Sequence, residues 1–514
     1  MAIESLTILL GILILSCAGR FISHPTARQL LLLGCSYFIY AEWAGKLFLS
    51  VLIASSLMNY LLGTILRRRP TTTMLWTGIG LNIFLLAIFK YLPPLANEWP
   101  GALGELDFLR RIILPLGISF WTFQGLSYLV DIYLEKELDP SLVEFCLYMA
   151  FWPSVVAGPV CRLPKMLPQF RQLSSSVRED FSIGLVRLVQ GLFMKLLLAQ
   201  LLASGLTPGA GVVAGFDATV SGWSGLDVWA LAFGYAFQLF FDFAGYSNIA
   251  IGAARMLGFR LPENFDRPYL SLTPAIFWTR WHMSLSFWIR DYVYSPLATM
   301  RRVPWWPYAA LFISMVIFGF WHEAKVTYIV WGIYHGTLLV GHRLGVRLKQ
   351  RIPIPFRLPR PLGALLSWGT TFSLVSLGYI LFRANNLAQA LEMLRAVVRP
   401  GSYEFASAIL PRDYYHLVST VVVGYFVYVG IAQLLALWTT SYRDRLRDKT
   451  ASLTTMPMPG WGAAFSKALL MVDRSLSERK WWWLTPGLVL LLMITTLSFL
   501  GQSSNIAPFI YTLF

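Results

Sequence analysis

The chain has 514 residues, 56% of them hydrophobic, with 20 Trp, 23 Tyr and 35 Phe. Only 13% are charged, about half the share of a soluble protein, and the mean hydropathy is +0.58; together these exclude an ordinary soluble domain and indicate an all-α polytopic membrane protein. The net charge of +16 reads as the Lys and Arg excess of cytoplasmic loops, and no nucleic-acid partner is expected.

In chain order, apolar segments run at 5–23, 29–43, 46–66, 74–92, 112–134, 143–160, 183–206, 226–250, 305–322, 325–346, 362–384, 417–438 and 482–500. Most approach the roughly 20 residues that cross a hydrocarbon core. The first, in "MAIESLTILLGILILSCAG", lacks the basic n-region of a cleaved signal peptide and reads as a membrane helix. No soluble domain or internal repeat interrupts the series, so residues 1–514 read as one membrane-embedded domain.

Loop charge sets the expected orientation. "RRRP" (67–70), "RLKQRIPIPFRLPRP" (347–361) and the long basic stretch 441–480 should be cytoplasmic. "TPGAGVVAGFDATVSGWSG" (207–225) and the C-terminal "QSSNIAPFIYTLF" have no Lys or Arg and should face outside. Full crossings throughout would put the basic "CRLPKMLPQFRQ" (161–172) on the outer side. That conflict disappears if 143–160, which carries Pro153, Gly158 and Pro159, enters and leaves on the cytoplasmic face as a re-entrant segment. The expectation is then about twelve crossings with both termini outside.

Residues 251–302 are Arg-rich and should lie on the cytoplasmic side. From Phe277 the pattern has helical period: Phe277, Trp278, Trp281, Leu285, Trp288, Ile289 and Tyr292 form an apolar face, and Thr279, His282, Ser286 and Arg290 a polar one. This predicts one basic amphipathic helix at the membrane interface. A surface anchor explains the Trp and Arg residues but not His282, which is a weak cation at neutral pH.

Of the six histidines, His24, His342 and His416 sit at loops or helix ends and carry no evident chemistry. His282, His322 and His335 are the candidates. The alternative for His335 is packing among Trp331, Tyr334 and glycines, with one ring nitrogen hydrogen-bonded to a neighbouring helix. No HxxxH or HExxH is present and the four cysteines have no paired spacing, so no metal is expected; the cysteines read as small apolar core residues. GxSxG is absent too. A lone His in an apolar tunnel suits another task, taking the proton from an alcohol that attacks a thioester or ester. Asp131, Gln238 and Asp242 could line such a cavity, and Asp242 could equally belong to a helix-packing network.

The stretches "FWTRWHMSLSFWIRDYVYSPL" (277–297) and "FGFWHEAKVTYIVWGIYHG" (318–336) resemble the paired signatures of membrane-bound O-acyltransferases. "QLLLLGCSYFIYAEW" (29–43), "LPLGISFWTFQGLSYLVDIY" (114–133), "AGPVCRLPKMLPQF" (157–170), "LFFDFAGYSNIAIG" (239–252), "LGFRLPENFDRPY" (257–269) and "GYILFRANN" (378–386) resemble the same family in the same order. The likeness is to its bacterial branch, with the alginate and teichoic-acid enzymes. It covers 29–384 and leaves 385–514 as variable C-terminal helices and a basic loop.

The resemblance implies a ring of about twelve helices, with re-entrant and interfacial pieces, around a central funnel. It maps the family's Trp-His onto Trp321 and His322, and its Arg-Trp-His onto Arg280, Trp281 and His282. It makes His322 the base and His282 its helper, with Asn264 of "PENFDRP" as a further candidate. Two departures stand out: Glu323 replaces the usual glycine after the key histidine, and "SPLATMRRVPWW" replaces a glycine-rich turn. The implied donor is acetyl-CoA or another acyl-CoA or acyl-carrier thioester, with no permanently bound cofactor. The implied acceptor is an envelope polysaccharide, reached through a periplasmic SGNH-hydrolase-like partner, and the implied location is the bacterial inner membrane, among its lipids. Two other classes stay open: a transporter or flippase with Asp131, Asp242 and the His as its polar path, and a scaffold without chemistry.

Overall fold

A computed structural model of the chain describes residues 11–453 apart from 12, 95–112, 135–136, 174–176, 208, 210, 219–221, 352–358 and 405–409, with side chains to 433. The expected helix 482–500, the C-terminal tail and residues 5–10 and 12 of the segment 5–23 lie outside the described residues.

α1 (Pro25–Ala44), α2 (Lys46–Arg68) and α3 (Thr72–Lys90) follow one another through short turns. Pro25 opens α1 where no backbone N–H is needed, and Thr71 caps α3 by accepting from the Met74 N–H at 3.3 Å. Asn59 and Asn82 exchange amide hydrogen bonds of 3.1 and 2.8 Å between α2 and α3, which satisfies two buried polar groups inside apolar helices. α4 (Ile118–Leu134) packs on α2 and α3.

The segment after α4 forms no spanning helix. α5 (Leu142–Ala150) has nine residues and rises only about 14 Å. The chain then turns through 151–158 and continues into α6 (Leu163–Arg171). Every residue from Glu144 to Cys161 is buried, the condition under which irregular backbone is tolerated at membrane depth. Arg171 Nε donates to Glu144 Oε1 at 2.8 Å, so the segment leaves where it entered. Arg67, at the end of α2, pairs with Asp139 there, which puts entry and exit beside the basic "RRRP" turn.

α7 (Val177–Leu192) runs on through a π turn (Phe193–Ala199) to Ser204 as one rod. α8 (Val212–Asp217) is a short helix before α9 (Gly225–Met256), a 32-residue helix buried along most of its length. α7 and α9 cross closely through small residues: a Cβ on Gly184 would stand 2.6 Å from the Gly252 carbonyl oxygen, and one on Gly191 2.5 Å from that of Gly245. Buried Asp180 pairs with Arg20 at 3.1 Å and Arg255 at 2.9 Å, tying the residues before α1 to both helices.

The single amphipathic helix expected from Phe277 is broken. α10 (Pro274–Trp278) stops, residues 279–282 turn, and α11 (Met283–Ile289) leads through a π turn (Arg290–Tyr294) to α12 (Ser295–Thr299). The apolar face points into protein rather than lipid: Trp278, Trp281 and Trp288 are all buried.

α13 (Trp306–His322) and α14 (Val326–Arg351) form a hairpin. α15 (Arg360–Arg383), α16 (Leu387–Val398) and α17 (Arg412–Leu453) complete the described chain.

Among the described residues there is no strand, and six helices are long and apolar enough to cross a membrane: Lys46–Arg68, Thr72–Lys90, Val177–Ser204, Gly225–Met256, Arg360–Arg383 and Arg412–Gln433. These are fewer than the crossings read from the sequence: α4 and α13 have 17 residues each, and the expected helix 482–500 lies outside the described residues. Helix packing and loop pairs define two ends. Arg67, Asp139 and Arg171 mark one, and the Arg383–Asp217 pair (3.1 Å) and the Thr207–Asp413 hydrogen bond mark the other.

Candidate active site

His282 sits in the break between α10 and α11 with φ 43° and ψ 52°. This left-handed conformation costs a non-glycine residue about 1–2 kcal/mol. It lets the Met283 N–H reach the Asn264 carbonyl oxygen at 2.8 Å, while the His282 carbonyl accepts from the Ser286 N–H at 2.8 Å. It also turns the imidazole inward: His282 is 3% exposed, not on a polar face with Thr279 and Arg290. Its ring stands edge-on to Phe243 of α9, centroids 4.6 Å apart, and Nε2 is buried without a hydrogen-bond partner.

His322 ends α13, because Glu323 is extended (φ −161°, ψ 151°). The hairpin that carries it closes on two glycines. A Cβ on Gly319 would come within 2.3 Å of the Tyr328 carbonyl oxygen, and one on Gly332 within 2.5 Å of that of Met315. The half-buried His322 ring is edge-on to Phe382 at 4.9 Å and to Trp331 at 5.5 Å.

These two histidines, from separate elements, line one small cavity of about 30 Å³ with Leu239, Phe243, Trp278, Trp281, Phe318, Trp321, Trp331, Tyr379 and Phe382. The walls are almost wholly aromatic, so the two imidazoles share a mostly apolar space. Such a site strengthens any electrostatic contact made in it and admits an apolar acyl group beside a proton acceptor.

The other sequence candidates divide. Trp281 and Trp321 line the cavity. Asn264 supports it from behind: Nδ2 donates to Ser247 of α9 at 3.0 Å, and Oδ1 accepts from Ser284 Oγ, which in turn accepts from the Val160 N–H at 2.9 Å. Asp131, Gln238 and Asp242, expected to line a cavity, stand outside this one. Asp131 accepts from Tyr292 Oη at 2.7 Å, Asp242 pairs with Lys195 across α7 and α9, and Gln238 Oε1 is buried without a partner. A helix turns successive residues by about 100°, so it is Leu239 and Phe243, one position on, that face inward.

Arg280 contributes its carbonyl, which accepts from the Asp266 N–H at 3.0 Å. Glu323 is partly exposed and pairs with Lys325 at 2.9 Å. His335 packs against the rings of Trp278, Trp331 and Tyr334. Neither of its nitrogens has a hydrogen-bond partner, so the bond expected to a neighbouring helix is not formed; Gly378 of α15 lets that helix come too close, a Cβ there standing 2.8 Å from His335 Nε2.

Lys90 was missed. It ends α3, is 6% exposed, donates to Ser119 Oγ at 3.0 Å and lies 4.6 Å from the Trp321 ring centroid. The signal was a Lys inside the apolar run "FLLAIFKYL".

Residues 118–370 match the model of the membrane-bound O-acyltransferase family, and 474–514 match that of a family of unknown function (DUF5989). The probable alginate O-acetylase of Pseudomonas aeruginosa is 35% identical over 426 residues, covering 80% of this chain and 78% of that protein. The chain belongs to the membrane-bound O-acyltransferase family. As a membrane-bound O-acyltransferase it is an enzyme of acyl transfer to oxygen. It is also 32% identical over 506 residues to the probable alginate O-acetylase of Pseudomonas putida (96% of this chain, 95% of that one). It is 31% identical over 420 residues to the peptidoglycan O-acetyltransferase of Helicobacter pylori (76% of each). His282, His322 and Asn264 fall inside the part that matches the membrane-bound O-acyltransferase model, whereas α1, α2 and α3, with Lys90, precede it.

Proposed function

We propose that this membrane-bound O-acyltransferase moves an acyl group, acetyl first among candidates, from a cytoplasmic thioester to hydroxyls of an envelope or extracellular polysaccharide. The observation that carries the reading is the aromatic cavity lined jointly by His282 and His322. His322 takes the proton of the attacking hydroxyl as its oxygen bonds to the thioester carbonyl carbon. Collapse of the tetrahedral intermediate breaks the C–S bond, and the thiol leaves with the proton from His322. His282 helps to position the donor, an acyl-CoA or an acyl-carrier thioester.

Loop charge supports an inner-membrane orientation with the α2–α3 turn and the Arg67–Asp139 pair cytoplasmic, and the α8 end periplasmic. α3 rises about 27 Å from that turn to Lys90, so His322, beside Trp321, stands toward the periplasmic end of the cavity. The attacking hydroxyl is one presented there by a periplasmic SGNH-hydrolase-like partner, and a polysaccharide hydroxyl then attacks that ester, taking the acyl group and returning the partner's hydroxyl. Relatives named for alginate and for peptidoglycan make both polymers the first acceptors to test. The transporter alternative has less support, because Asp131, Gln238 and Asp242 stand outside the cavity.

The test is His322→Ala in cells that depend on this chain for polymer acylation. Loss of alkali-labile ester on the envelope polysaccharide, with the protein still in the membrane, is the expected result. Unchanged ester content removes His322 from the mechanism.

A further inference from the structure

Lys90 is unusual for a lysine at the end of a membrane helix. Such a side chain ordinarily extends its ammonium to the interface, yet this one is 6% exposed. Among the described residues no carboxylate lies within 4 Å of it; its contacts are the Ser119 hydroxyl at 3.0 Å and the face of Trp321, 4.6 Å from the ring centroid. The next residue grips the same place. Tyr91 Oη donates to the Trp321 carbonyl oxygen at 3.4 Å, and the Tyr91 ring stacks on Phe320 at 4.8 Å. Lys90, the last residue of α3, and Tyr91 just after it thus hold the two residues that precede His322. Trp321 passes the contact on, since its ring centroid is 4.6 Å from that of His322 and it walls the cavity.

We propose that Lys90 is a positioning residue for His322, acting through a cation–π contact that fixes Trp321 and with it the last turn of α13. The inference rests on His322 being the base. A cation over an indole, away from water, holds the ring more firmly than apolar packing does, and the Ser119 hydrogen bond fixes the ammonium in turn. The family match does not assign this role, because Lys90 precedes residue 118.

The test measures the initial rate of ester formation on envelope polysaccharide after induction of the full-length protein, normalised to its amount in the membrane. Lys90→Met, of similar length, should lower the rate about tenfold, and Lys90→Arg, which keeps a cation on the ring, should restore it to within about threefold. Melting of the purified variants should stay near that of the parent protein. Trp321→Leu should also lose about tenfold, and the double variant should lose no more than either single one, because both changes break the same contact. Full activity in Lys90→Met, equal loss in the Met and Arg variants, or losses that multiply in the double variant would overturn the proposal. His322→Ala is measured alongside. If it retains the rate, the reading of His322 as base fails; if it loses the rate while Lys90→Met does not, the role of Lys90 alone fails.

Discussion

Asn264 holds the residues that follow His282: its carbonyl oxygen accepts from the Met283 N–H at 2.8 Å, and its Oδ1 accepts from Ser284 Oγ at 2.5 Å. With Nδ2 on Ser247, this one side chain joins α9, α11 and the loop between them. Asn264→Ala removes the side-chain half of the link and strands buried partners, at about 1–3 kcal/mol. Acylation should fall at least tenfold, with a drop of a few degrees in melting temperature of the purified protein. A variant that melts and acylates like the parent would show that the backbone contact suffices.

His282→Gly separates backbone from imidazole. Glycine adopts the left-handed conformation without strain, and the residue has φ 43°. The variant should fold and reach the membrane normally, yet acylate at a few per cent of the parent rate. Normal polymer ester content would mean that His282 serves only as a turn.

His335 should tolerate what His322 does not. It is 1% exposed and neither ring nitrogen is partnered, so its polarity adds no stability. Replacing such a group with an apolar one of similar volume is near neutral or stabilising. His335→Leu should melt within a few degrees of the parent or above it and keep acylation within about threefold. A collapse in yield would point instead to a buried water or ligand on the ring.

The α13–α14 hairpin depends on Gly332, where a Cβ would lie 2.5 Å from the Met315 carbonyl oxygen; Gly345, on the same helix, has open space around it. Gly332→Ala should therefore destabilise the protein by about 1–3 kcal/mol through overpacking and pull His322 out of register. Gly345→Ala should be neutral or slightly stabilising because alanine favours helix. Melting and polymer acylation of the two variants, side by side, check the contrast.

The Glu144 carboxyl, outside the membrane-spanning helices, is held below its ordinary range. Burial alone would raise it, but hydrogen bonds from Arg171 and from the Ser141 N–H outweigh that. A depressed folded value stabilises above the unfolded pKa of about 4.3 and loses that contribution as pH falls through the folded value. The parent protein should lose melting temperature on acidification below about pH 4, and Glu144→Gln should show a shallower loss over the same range. Parallel curves would mean that the pair adds no stability.

Much of the candidate site was legible in the sequence, and for identifiable reasons. Polar groups are rare in apolar runs, so His322 and His282 stood out before any contact was known. Pro153, Gly158 and Pro159 marked a segment that could not span, and α5 is short for that reason. The burial of Trp278, Trp281 and Trp288 was harder to foresee, because an apolar stripe has the same period whether it meets lipid or protein. Lys90 went unread because one Lys at the end of an apolar run resembles an interfacial anchor.

The sequence by itself determined the all-helical membrane class, the charged loops and the pair of histidines, because these follow from local composition and spacing. Tertiary structure decided which polar residues meet. It turned His282 inward through a backbone reversal held by Asn264, drew Asp242 away to Lys195, and brought Lys90 onto Trp321 from a distant part of the chain. Those outcomes depend on helix rotation and close approach between elements, which no local pattern encodes.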